Sequence, residues 1–209
     1  MNDVKKIYKN VIILFLLSLL YSILRYNIFK GIAWSQLPLF IVNKAVSLSA
    51  VLLMATSLFA GRKISVDERY KELAMRYGWA GFQFIVVHTL LSLILLNPGY
   101  YEKFYQTGRL TFKAELFLLF GVMAFVLLVI YSINAALQRW GVEPFHPGVA
   151  NSSIRTAAVI FIAGHLFVMG FNGWFNIAYW PGSLPPITLI AFIVIFIILS
   201  AGFIKRYKI

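Results

Sequence analysis

Six apolar blocks of roughly 20 residues, each closed by a short polar or turn-forming stretch, dominate the chain and leave it few ways to fold. Wound as a helix at about 1.5 Å per residue, such a block crosses the ~30 Å hydrocarbon core of a bilayer. Backbone groups in lipid must find their hydrogen bonds internally, so a continuous apolar run reads as a spanning helix. The spans are expected at Ile7–Phe29, Leu39–Ala60, Trp79–Leu96, Ala114–Leu137, Thr156–Asn172 and Ile187–Ile204. Asn97-Pro98-Gly99 is a strong turn signal closing the third. Of the 209 residues 61% are hydrophobic and only 12% charged, more apolar side chain than a soluble domain of this length could cover with polar surface. The expected fold class is an all-α integral membrane protein, a six-transmembrane-helix bundle forming a single domain over residues 1–209.

The net charge of +12 would suggest nucleic acid in a soluble chain. No Arg/Lys stripe interleaved with polar residues is present, and basic residues collect in cytoplasmic loops against anionic headgroups. The sequence therefore points to membrane lipid and no nucleic acid. Most Lys and Arg residues, among them Lys5, Lys6, Lys9, Arg62, Lys63, Arg139, Arg155 and Lys205, fall on the side of the N-terminus. Arg25, Lys30, Lys44, Lys103, Arg109 and Lys113 fall on the other. This bias predicts both termini in the cytoplasm, in a multi-pass protein of a bacterial or archaeal cell membrane. The start, MNDVKKIYKN followed by VIILFLLSLL, resembles a signal peptide without a small-residue cleavage site and is read as an uncleaved first helix. There is no cysteine, which excludes disulfides, thiol catalysis, iron–sulfur clusters and thiolate haem ligation.

The loop GRKISVDERYKELAMRYG mixes charge signs and reads as a short interfacial helix. The loop NGWFNIAYWPGSLPP carries Trp174, Tyr179 and Trp180 and reads as an aromatic belt at headgroup level.

Two of the three histidines sit within apolar spans, where an ionisable side chain is costly and marks a functional site by default. His88 follows Gly78 by ten residues and His165 follows Arg155 by ten, about 15 Å along helices running in the same direction. Two neutral imidazoles at one depth can ligate a single iron from opposite faces, and such a site needs no cysteine. The alternative is that each histidine simply hydrogen-bonds to a neighbouring helix. Gly81, two turns before His88, and Gly164, beside His165, are small enough to admit a flat ring or a close helix.

From about residue 43 to 174 the chain resembles the ferric-reductase-like transmembrane domain superfamily, nearest the haem-binding membrane subunit of the bacterial periplasmic methionine sulfoxide reductase system. The stretches that carry the resemblance are RYGWAGFQFIVVHTLLSL, GVMAFVLLVIYSINAALQRWG and AAVIFIAGHLFVMG. The resemblance implies that His88 and His165 are ligands of one haem b. Relatives have a further histidine about four turns before the outer one, where this chain has Ser152, so a second haem bound in the family's way is not implied. The resemblance does not extend to the soluble flavin and nicotinamide domain of larger relatives, so none is expected in this chain. Electrons would come from a quinone pool, an FMN or a separate redox partner protein.

Arg25 and Lys44 are candidate partners for haem propionates, with snorkelling to the interface as the alternative. His146, in VEPFHPGV, is read as a loop residue that could line a quinone or flavin pocket. Met123 and Met169 are read as packing residues. Ser132 and Asn134 could contact a head group. The expected function is transmembrane electron transfer from a flavin or quinol donor to an external acceptor, as the membrane subunit of a reductase. The rival class is a haem-free transporter or structural partner subunit; a transporter would show internal symmetry and broken helices.

Overall fold

The computed structural model describes residues 2–64, 66–143 and 151–206, and these are overwhelmingly helical. Six helices are long and apolar enough to cross a membrane. The first is α1 (Asn2–Ser22), which continues as a π-helical segment over Ile23–Phe29. A second π-helical segment, Leu37–Ile41, opens at Pro38 and runs into α2 (Val42–Arg62). Then come α3 (Arg69–Leu95), a single turn α4 (Pro98–Tyr101), and a two-residue hairpin pairing β1 (Tyr105–Gln106) with β2 (Arg109–Leu110). The chain finishes with α5 (Phe112–Arg139), α6 (Asn151–Trp174) and α7 (Ile187–Arg206). We call the end of the bundle where the chain starts proximal and the opposite end distal.

All six expected spans are present, and the main difference is length. The stretch read as an interfacial helix is instead the first turns of α3, which starts at Arg69 rather than near Trp79. Lys71 to Arg76 are good helix formers, and Arg76 pairs with Glu72 one turn back at 2.7 Å, so nothing interrupts the helix between loop and membrane. The expected turn at Asn97 is real: its side chain accepts from Gly99 N–H at 3.0 Å and caps α4. Thr111 caps α5 in the same way, through Ala114 N–H.

α2 is the hub. Its face Leu48, Val51 and Ala55 packs with Val159 of α6 and with Ile187, Ala191, Ile195 and Ile198 of α7. α3 lies close along α2 because Gly81 has no Cβ; one built there would stand 3.0 Å from Met54 Cγ and 3.2 Å from its backbone nitrogen. α5 and α6 form a second close pair, where a Cβ on Gly164 would meet the Phe120 ring at 2.9 Å. α3 and α6, the helices that carry the two membrane histidines, scarcely touch each other. The histidines therefore belong to different helix pairs.

The distal loops are tied down by polar groups. Arg25 is buried, lies 5.6 Å from the Tyr26 ring centroid and donates from a terminal guanidinium nitrogen to the Leu184 carbonyl. Trp174, expected in an aromatic belt, is instead core: it is buried and its indole donates to Thr188 Oγ1 at 3.0 Å. An indole N–H inside lipid needs an acceptor, and α7 brings one. Tyr179 does lie fully exposed at the tip of that loop.

Candidate functional site

His88 and His165 both sit about two turns before the distal ends of their helices, at Leu95 and Trp174. α3 extends further on its proximal side than the apolar run alone indicates, so His88 lies nearer the distal than the proximal end of its helix. Both side chains are half-buried. They are close enough to feel each other electrostatically, and Lys44 is close enough to act on both.

Each imidazole is held by one nitrogen. His88 Nδ1 lies 2.7 Å from Oδ1 of Asn43, a fully buried residue on α2. The same amide donates from Nδ2 to Ser92 Oγ at 3.1 Å, and Ser92 Oγ lies 3.4 Å from His88 Nδ1. In this arrangement the amide nitrogen faces Ser92 and its oxygen faces the imidazole. An amide oxygen only accepts, so His88 carries its hydrogen on Nδ1. His165 Nδ1 lies 3.0 Å from the Phe117 carbonyl of α5, which also only accepts, so His165 has the same tautomer. Both Nε2 lone pairs are therefore free to act as ligands, and no hydrogen bond occupies either one among the described residues. Ligating histidines usually have their second ring nitrogen bound in this way.

The approach of His165 to α5 depends on Gly121. A Cβ there would lie 2.9 Å from His165 Nδ1 and 3.0 Å from Cε1. The Phe117 ring stacks on the imidazole, with centroids 4.0 Å apart. Helix geometry places Phe117 and Gly121 one turn apart, so the same face of α5 offers a carbonyl to bond the ring and a gap to admit it.

Lys44 lies two turns into the second span, on the distal side of the histidines. Its ammonium donates to Tyr101 Oη at 3.1 Å and sits 4.9 Å from the Phe40 ring centroid. Among the described residues it has no carboxylate partner; the only ion pairs there are Arg69–Asp67 and Arg76–Glu72, both proximal. Lys103, outside the membrane-spanning segments, is an exposed residue whose ammonium is pushed down to about 8, by the neighbouring protein's desolvation first and then by Lys44, Lys113 and Lys30. Lys30 is lowered likewise, by burial and by Lys44 and Arg25.

Of the residues singled out in the sequence, the structure thus brings His88, His165 and Lys44 together. Gly164 neighbours the site through the α5–α6 contact, and Gly81 serves the α2–α3 contact on the proximal side of His88. Arg25 is engaged by the Leu184 carbonyl. His146 lies outside the described residues. Asn43, Ser92, Phe117 and Gly121 were not singled out as site residues. Ser92 stands one helical turn after His88, and Asn43 is an amide inside an apolar run, so both left a trace in the sequence. The role of Gly121 depends on which helix faces His165, and a single sequence holds no sign of that.

Among the described residues no three His, Cys, Asp or Glu side chains converge as ligands for a metal ion. The histidines offer a two-ligand set of neutral imidazoles in a half-buried, mostly apolar space. That set fits a haem, whose iron takes its equatorial ligands from the macrocycle and needs only axial ones from protein. No protein-family model matches the sequence, and a search of curated proteins finds no significant relative.

Proposed function

We propose that His88 and His165 are the axial ligands of one b-type haem, and that the protein passes electrons across a membrane as the membrane subunit of a reductase system. The observation that carries this reading is the matched pair of tautomers: both Nδ1 atoms are bound to acceptors, and both Nε2 lone pairs are left free. The resemblance of Arg76–Leu93 and of the stretch around His165 to ferric-reductase-like helices supports it independently. When bound, the haem supplies a ferric–ferrous couple whose potential is set by ligation, hydrogen bonding and burial. Asn43 and the Phe117 carbonyl hold the ligand tautomers and orient the rings. Lys44 supplies a cation on the distal side, where a propionate would find a partner. With both termini cytoplasmic, the donor, a flavin or a quinol, delivers electrons from the cytoplasmic side, and the acceptor is external.

The test is an optical spectrum of protein purified after haem-replete expression. Wild type is expected to show a Soret band and a sharp alpha band on reduction, and His88→Ala and His165→Ala are each expected to lose them. A colourless wild type would refute the reading and leave a haem-free membrane protein.

A further inference from the structure

A cleft of about 560 Å³ opens at the proximal end between α2, α3, α5 and α6, away from the histidine pair. Lys71, Arg139 and Arg155 line it, and no carboxylate among the described residues does. None of these three side chains makes an ion pair or hydrogen bond among the described residues. The nearest acid on the same helix turn, Glu72, is taken by Arg76. Three cations thus line one cleft without a counter-charge among the described residues.

The floor has different chemistry. Below the cations the walls are Leu58, Phe82, Ile85 and Leu128. Along α3 the lining runs from Lys71 to Ile85, about 20 Å, and along α5 from Arg139 to Leu128, about 16 Å. Those lengths match one leaflet, about half of the ~30 Å hydrocarbon core. The groove also carries the hydroxyls of Tyr131 and Ser132, between Leu128 and Arg139 on α5, whereas the Ser57 hydroxyl already donates to the Ala74 carbonyl at 2.5 Å. Trp79, exposed on α3, lines the cleft midway between Lys71 and Ile85.

We infer that this cleft is a binding site for one anionic phospholipid, its phosphate held by Lys71, Arg139 and Arg155 and an acyl chain lying in the apolar groove between α3 and α5. The charge complementarity and the groove length carry the assignment together. Cations alone would serve any phosphate, and a groove alone any acyl chain. The inference is independent of haem.

Native mass spectrometry of the full-length protein in detergent tests it, with phosphatidylglycerol and phosphatidylcholine of equal chain length added in turn. Wild type is expected to retain one phosphatidylglycerol over phosphatidylcholine by roughly tenfold or more, the scale set by three basic side chains at one headgroup. The Lys71→Gln/Arg139→Gln/Arg155→Gln variant is expected to lose that preference. Should the triple variant not fold, Arg139→Gln alone, at an exposed position, is expected to weaken it. Equal retention of the two lipids, or a preference untouched by Arg139→Gln and the triple variant, would overturn the assignment. So would displacement of the bound lipid by millimolar inorganic phosphate, which would make this a site for free phosphate.

Discussion

Gly121 and Asn43 do more for the candidate site than their size or polarity suggests, and they act on different imidazoles. Gly121 leaves the gap through which His165 reaches the Phe117 carbonyl. An added methyl would press on Nδ1 and Cε1 of that ring, so Gly121→Ala is expected to rotate or expel His165 and to lower haem content while the bundle stays folded. Asn43 is fully buried, with its oxygen on His88 and its nitrogen on Ser92. Asn43→Leu would leave the His88 Nδ1 hydrogen without its main acceptor, costing about 1–3 kcal/mol. Losing an orienting partner of this kind typically weakens ligand binding by about 10–100-fold. Haem titration of the apoprotein, paired with circular dichroism for helix content, reads both effects. Gly81→Ala is the control: its methyl would strike Met54 on α2, so thermal stability should fall by about 1–3 kcal/mol, with little change in haem affinity of the folded fraction.

Element by element, what a single sequence could reveal follows from how local the physics is. Span number and order come from apolar length, a local quantity, and all six are where the hydropathy puts them. The turn at Asn97 is local too, being an Asn side chain reaching two residues along its own backbone. The proximal turns of α3 read as a separate interfacial helix because Lys71, Glu72 and Arg76 end the apolar run, although as good helix formers they continue the span without a break. Trp174 was misread because its acceptor, Thr188, belongs to another helix. The distal connection between α3 and α5 shows the same limit. Lys103 lies in its short helical turn Glu102–Phe104, facing Lys30, Lys44 and Lys113 from three other segments, and no local pattern shows that crowding. The Lys103 ammonium loses its proton near pH 8 in the folded protein, but nearer the usual value for lysine when unfolded. Between those values the unfolded chain binds more protons, so stability should rise with pH from about 8 to 10 as the desolvation cost of the charge and its repulsion by neighbouring lysines are relieved. Melting curves in detergent are expected to show that rise in wild type and a flatter profile, with a higher melting temperature at pH 7, in Lys103→Gln.

At the scale of the whole molecule, the position of the site makes orientation a functional question. The histidine pair lies toward the distal end, beside Lys44 and Tyr101, whereas the cationic cleft opens at the proximal end. The two ends therefore face different chemistry, and the charge bias predicts that the proximal end is cytoplasmic. In that orientation the candidate haem stands nearer the external acceptor than the internal donor, so the longer electron path runs through the proximal half of the bundle. The chain has no cysteine, which allows a clean test in intact cells. Gln106→Cys places one thiol on the exposed distal hairpin, and Lys63→Cys places one on the exposed turn after α2. A membrane-impermeant maleimide is expected to label Gln106→Cys from outside and Lys63→Cys only after permeabilisation. The reverse pattern would invert the bundle and put the histidine pair nearer the cytoplasm, with the direction of electron flow to be redrawn. Labelling of both thiols from one side would contradict the crossing of α3, because the two positions are separated by that helix and the turn that follows it.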